Sequence, residues 1–164
     1  MPQEFNFQTV VIAFNRPDYL KKVLSSLAMQ TLRLNSKKLI FCIDGFINSY
    51  HYQIGSTNNQ ELLRKYIIKA FPDSMIISEE VNIGIPRMHR KALDLAFLDG
   101  SDWALILEDD VYLRKEALFI LQEYILNDGG IPSNTGIINL DCWKRIDFKF
   151  KTVSYTHLTL PTKA

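Results

Sequence analysis

Trp103-Ala104-Leu105-Ile106-Leu107 runs directly into Glu108-Asp109-Asp110. A continuous apolar run of this length, bounded at once by acid, reads as a buried parallel strand ending in a site. An ionised carboxylate is not buried unpaired, because its desolvation is too costly, and three in succession also repel one another. The remedies are a divalent cation, hydrogen-bond donors or water. Hard cations such as Mg²⁺ and Mn²⁺ choose oxygen ligands, often one or two carboxylates together with substrate phosphates. One reading of the junction is therefore a metal–diphosphate site at the carboxyl end of a central strand. The other is a solvated acidic turn that starts the next helix, with Asp110 near its N-cap. The triplet alone does not choose between them.

Working outward, the chain alternates strand and helix signals. Residues 7–14 (FQTVVIAF) are rich in β-branched and aromatic types, and Asn15-Arg16-Pro17-Asp18 breaks them. Pro17 suits the first turn of a helix. Leu20, Val23, Leu24 and Leu27 then recur at helical spacing over 19–29. A second strand is expected over 38–43 (KLIFCI), ended by Asp44-Gly45, with a polar surface loop through Asn59. A helix is expected over 60–71, stopped by Pro72, then a strand over 75–78, a loop over 79–84 and a helix over 85–98. After the strand at Trp103 come a helix over 115–126, a loop over 127–134 and a strand over 135–140. Strand–helix repetition implies an α/β fold with a largely parallel sheet. In such sheets ligands bind outside the carboxyl ends of the strands. Those ends carry Asn15-Arg16, Asp44-Gly45, residues 79–84 and the acidic triplet, whereas the opposite ends hold Gln8, Lys37-Lys38, Ser74 and Asp102.

Composition narrows the class. The 164 residues fit one domain. With 47% hydrophobic and 23% charged residues, the chain has the make-up of a globular protein. A formal net charge of +1 supplies no global field for nucleic acid or membrane, and no basic stripe or nucleic-acid motif is present. Cys42 and Cys142 fit no metal spacing. Cys42 lies in an apolar run, so a buried reduced thiol is expected, which suits a cytoplasmic location, including the periphery of the inner membrane. No signal peptide opens the chain, and no apolar run approaches a membrane span. The last residues stand apart. Val153-Ser154-Tyr155-Thr156-His157-Leu158, with Thr159 to Ala164 after it, resembles the translated transposon-end adapter of DNA sequencing libraries. Fold reasoning accordingly takes 1–152 as the domain and 153–164 as an artefactual tail, and expects the chain to be a fragment cut near Thr152.

Four ordered stretches carry a resemblance: VVIAFNRPDYLKKVLSSL from Val10, FCIDG from Phe41, NIGIPRMHRKALDLAF from Asn82 and WALILEDDVYL from Trp103. In order and spacing they resemble the nucleotide-diphospho-sugar transferases of the Rossmann-like GT-A fold. The likeness is greatest to family-2-like bacterial enzymes and the N-acetylglucosaminyltransferase I type. The matched part is the N-terminal, donor-binding half. The resemblance implies a glycosyltransferase of the kind used in bacterial polysaccharide synthesis. Such an enzyme passes a sugar from a nucleotide-diphosphate sugar donor to a glycan or lipid-linked hydroxyl acceptor with Mn²⁺ or Mg²⁺, with inversion at the anomeric carbon. It assigns Ala13, Asn15 and Arg16 to the nucleotide pocket, and Asp44 to the base or ribose. Asn82, Gly84 and Arg87 fall to the loop beside the sugar diphosphate, Glu108 and Asp109 to the donor sugar or ribose, and Asp110 to the metal. The family's catalytic base lies in the acceptor half, so none is named; Asp141 and Asp147 carry no motif. His89 reads as a structural or exposed helical histidine. A sugar-phosphate nucleotidyltransferase is an alternative, but Phe14-Asn15-Arg16-Pro17 lacks the glycines of its loop. A non-catalytic or degenerate nucleotide-sugar-binding module is another.

Overall fold

The apolar run Phe7–Ala13 forms the central strand β1, and its period-2 geometry splits it between two cores. Val11 and Ala13 enter one apolar cluster, and Val10 and Ile12 enter the other. The computed structural model describes residues 7–127, 137–139 and 151–153. By internal contacts the chain divides into two units, Met1–Gln122 and Glu123–Ala164.

In the first unit β1 leads to helix α1 (Pro17–Ala28), strand β2 (Leu39–Ile43), helix α2 (Thr57–Ala70), strand β3 (Met75–Ser78), helix α3 (Ile85–Ala96) and strand β4 (Trp103–Glu108). Helix α4 (Ala117–Asn127) follows. The four strands make one sheet in the order β3-β2-β1-β4, and every pairing is parallel. One face is covered by α1 and α2 through Leu20, Val23, Leu27, Leu63 and Ile67, with Phe41 stacked on Phe71 at 6.2 Å between ring centroids. The other is covered by α3 through Met88, Ala92 and Ala96. Helices on both faces explain why residues 10–13 of β1 and all of β2 read as unbroken apolar runs. Register then sets the site. Ala13 pairs with Ile43, and Ile12 pairs with Glu108, so the residues just after β1, β2 and β4 emerge side by side.

Strand β4 departs from the expected central, buried strand. It is an edge of the sheet among the described residues, and Trp103, Ala104, Leu105 and Ile106 are half-buried. Only one flank pairs with another described strand, so its apolar run reflects two covered faces rather than two paired edges. Helix α2 starts at Thr57, three residues before the apolar periodicity at Gln60, because Thr57, Asn58 and Asn59 are polar residues of its first turn behind the N-cap Ser56. Helix α1 starts at Pro17, with the proline in the first turn as expected, and ends at Ala28. Helix α3 stops at Ala96, and α4 starts at Ala117 rather than residue 115. In the second unit strand β5 (Ile137–Asn139) lies inside the expected 135–140, and strand β6 (Lys151–Val153), which had no sequence signal, pairs with it antiparallel, Ile137 opposite Val153. Cys142, Asp141, Asp147, the remainder of the loop expected to residue 134 and the tail from residue 154 lie outside the described residues.

Candidate functional site

The carboxyl ends of β1 and β4 are joined by ions. Asp109, the first residue after β4, is buried, and its carboxylate is doubly engaged. Its Oδ2 accepts the Phe14 backbone N–H at 3.1 Å, and its Oδ1 is paired with Arg16 Nη2. Arg16 stands at the N-cap of α1, and its Nη1 reaches Asp110 Oδ2 at 2.9 Å. One guanidinium thus answers two of the three adjacent acids. Partial burial opposes its charged form, but the hydrogen bonds and negative charges of Asp109 and Asp110 outweigh that, and the pKa of Arg16 rises above its ordinary value. The two pairs are unequal. The Asp109 side chain is 2% exposed and the Asp110 side chain 37%. Only the Asp109 end of the first pair is buried, since the Arg16 side chain is 44% exposed, and the second, exposed at both ends, contributes only about 0–1 kcal/mol. Arg16 is therefore fixed by Asp109 and lightly held by Asp110.

Glu108 faces helix α3. His89 Nδ1 lies 3.1 Å from the Ile85 carbonyl, one turn back, and a carbonyl only accepts, so Nδ1 carries the proton. Nε2 is then turned to Glu108, 3.7 Å from Oε1. His89, read from sequence as a bystander, belongs to this edge.

Asp44 is the hub of a second cluster. It is buried, and its carboxylate accepts three backbone N–H groups: Gly45 at 2.8 Å and Ile83 at 2.9 Å on Oδ1, and Gly84 at 3.0 Å on Oδ2. It thereby holds the β3–α3 loop and the start of α3. Gly84 adopts φ 77°, the left-handed region that suits glycine. Asn82 tightens the same joint, donating its side-chain amide to the Gly45 carbonyl at 3.1 Å and its backbone N–H to Ile47 at 2.7 Å. A Cβ on Gly45 would lie 2.3 Å from the Val81 carbonyl carbon, so the two loops meet backbone to backbone. Asn15 does similar work on the next loop. Its Oδ1 accepts the Ser56 backbone N–H at 2.9 Å and the Asn59 amide at 3.0 Å. Ala13 is buried at the end of β1, its carbonyl accepting the Asp44 N–H at 2.9 Å.

Apart from Glu108, which faces His89, the sequence-assigned residues thus sort into three groups. Arg16, Asp109 and Asp110 form one ionic cluster. Ala13, Asn15, Asp44, Asn82 and Gly84 form the frame that fixes the loops around it. Arg87 is exposed in the first turn of α3 and makes no hydrogen bond or ion pair among the described residues. The partners that sequence reasoning missed, Phe14, Ile83, Ser56 and Asn59, mostly contribute backbone or amide groups and carry no spacing signal. No group of three His, Cys, Asp or Glu side chains converges as a metal cage among the described residues. Cys42 is buried, and burial pushes its thiol up to about 11, which makes it an inert core group.

Comparison with solved structures settles the class of fold. Helices on both faces of this parallel sheet give the α/β, Rossmann-like GT-A arrangement. The structure of S. aureus TarS superposes with a TM-score of 0.52 at 19% identity, covering 80% of this chain and 24% of that one. A complex of S. aureus TarS 1-349 with UDP superposes with a TM-score of 0.51 at 18% identity, covering 80% of this chain and 40% of that one. This chain therefore spans well under half the length of either. No family model and no curated protein matches the sequence.

Proposed function

We propose that this chain is the donor-binding portion of a glycosyltransferase, in which the carboxyl edge of β1, β2 and β4 receives a nucleotide-diphosphate sugar and a glycan or lipid-linked hydroxyl is the acceptor. The observation that carries this reading is the Arg16–Asp109–Asp110 cluster at the ends of two adjacent parallel strands, where α/β sheets take their ligands. The UDP bound to S. aureus TarS 1-349, a structure of the same fold, supports a nucleotide as ligand.

The chain's own groups divide the work. Asp109 anchors Arg16, whose guanidinium suits phosphate oxygens through its planar fork of donors. Arg87 adds a second cation at the start of α3. Glu108, turned to His89, lies within reach of a donor hydroxyl as an acceptor. Asp44, Asn82 and Gly84 keep the loop beside the ligand in shape, and Asp44 retains acceptor capacity on Oδ2 for a base or ribose. The donor set fits a hard divalent cation. It is all oxygen, and Asp110 keeps Oδ1 without a partner among the described residues, which matches ions that take one or two carboxylates and complete their shell with phosphate and water. Asp110 would hold Mn²⁺ or Mg²⁺, which when bound supplies positive charge to the departing diphosphate.

One observation favours a second reading, a non-catalytic nucleotide-sugar-binding module. The acid at the end of β4 is already answered by Arg16 and the Phe14 N–H, so the edge is stable without a cation. Titrating the chain with UDP, GDP, CDP and dTDP, each with and without Mn²⁺, separates the readings. The transferase reading expects one nucleotide to bind only with Mn²⁺ and raise the melting temperature by mass action. Binding that ignores Mn²⁺ favours the module, and a folded sample that binds none of the four contradicts both.

A further inference from the structure

The loop between β2 and α2 has a composition and a geometry that the nucleotide site does not use. From Gly45 to Gln60 the chain contains no Asp, Glu, Lys or Arg, in a protein that is 23% charged. Its polar groups are amides and hydroxyls, from Asn48, Ser49, Gln53, Ser56, Asn58 and others. Among them stand two large aromatic rings that water surrounds, Tyr50 at 78% exposure and Tyr52 at 70%.

The loop is firmly built. Ile47 and Gln53 form an antiparallel bridge that closes a small hairpin. Asn48 donates its N–H to the Tyr52 carbonyl at 2.9 Å and accepts the His51 N–H on its own carbonyl at 2.9 Å. Its side-chain Oδ1 takes the N–H groups of Tyr50 at 3.0 Å and Tyr52 at 2.9 Å. His51 sits at φ 65°, a left-handed conformation that a non-glycine residue holds only when its surroundings over-determine it. The base of the hairpin is pinned beside the ionic cluster: the Ser56 N–H and the Asn59 amide bond Asn15, the neighbour of Arg16. A fixed hairpin that keeps two tyrosine rings in water forgoes apolar burial, and the loop has no Lys or Arg to pair with a phosphate or a carboxylate. Exposed aromatic rings in a loop of neutral donors and acceptors match a ligand with apolar C–H faces and many hydroxyls.

We propose that the Tyr50–Tyr52 hairpin is a binding site for a neutral pyranose oligosaccharide free of any nucleotide, with the two rings stacking on sugar faces and the surrounding amides and hydroxyls bonding its hydroxyl groups. The site stands apart from the nucleotide reading and does not need it.

The test titrates the whole chain calorimetrically with two neutral oligosaccharides, cellohexaose and chitohexaose, and follows tyrosine fluorescence. The expected result is binding of at least one of them with a change in tyrosine emission. Tyr50→Ala or Tyr52→Ala should weaken it about tenfold, and Tyr→Phe at the same positions should largely retain it. UDP titrations on the same variants keep this proposal distinct from the nucleotide reading, because the alanine variants should bind UDP as the parent chain does. Absence of oligosaccharide binding by the folded chain, or equal binding by both alanine variants, would overturn the proposal. So would joint loss of UDP binding, which would assign the tyrosines to the nucleotide site. Concentration-dependent self-association abolished by the alanine variants would also overturn it, by making the hairpin an interface between copies.

Discussion

The two ends of the sheet both carry aspartate–cation pairs, and they are built differently. At the amino end Asp99 is held by its own turn and by one cation 61 residues away in sequence. Its Oδ1 accepts the Ser101 backbone N–H at 3.1 Å and the Ser101 hydroxyl at 2.7 Å, and Lys38 pairs with its other oxygen. At the carboxyl end the partners of Asp109 and Asp110 come from 93 to 95 residues away, from the end of β1. The first closes a turn and ties it, through an exposed pair, to Lys38 just before β2. The second draws separate strands together and leaves part of the charge, on Asp110 and Arg16, facing water. The carboxyl end differs in that one guanidinium is shared by a buried and an exposed carboxylate at the ends of two adjacent parallel strands, where α/β sheets take their ligands, and this supports the proposed ligand edge.

The comparison can be broken first at Asp109. Replacing it with alanine removes the acceptor of the half-buried Phe14 N–H and one partner of Arg16, which is half-exposed and keeps Asp110, so Asp109→Ala should cost about 2 kcal/mol of unfolding free energy in urea denaturation. A loss below about 1 kcal/mol would reduce the cluster to an ordinary surface pair. Gly45→Ala tests the frame around it. With backbone 2.3 Å from the new Cβ, the loops must separate, and about 2 kcal/mol should be lost.

Much of this was legible in the chain and some was not. The parallel α/β order followed from the alternation of strand-like runs with helical spacing, and β1 from its β-branched and aromatic residues. The position of β4 at the edge did not, because a run covered on both faces reads alike whether one or two strands pair with it. The start of α2 was hidden by Thr57-Asn58-Asn59, which have no apolar periodicity. In the acidic triplet the sequence exposed the electrostatic problem but not its resolution, since the partner Arg16 is fixed only by the β1–β4 register. Asp44 looked like a strand-ending turn or a ligand group, and two of its three backbone donors, Ile83 and Gly84, come from a loop some 40 residues further on.

The amino end sharpens the contrast through pH. The Lys38 hydrogen bond, then that of Ser101, lowers the Asp99 carboxyl to about 2. A depressed carboxylate adds stability above its unfolded pKa, about 3.9, and loses it as pH falls through the folded value. The Asp99→Asn variant should therefore be less stable than the parent at pH 6, by less than about 1 kcal/mol because the pair is exposed. The difference should close between pH 4 and about 2. The smallest structural effect is expected at Asp110. Asp110→Asn should change the melting temperature hardly at all while removing any Mn²⁺ dependence of nucleotide binding. A variant that keeps that dependence would take the metal role from Asp110.

The most direct measurement is hydrogen exchange by mass spectrometry on the folded chain, with and without saturating UDP and Mn²⁺. The account predicts added protection in the peptides spanning residues 13–16, 44–45, 82–87 and 108–110, and none around Lys38 and Asp99. Protection confined to the amino end, or spread evenly over both ends, would contradict it.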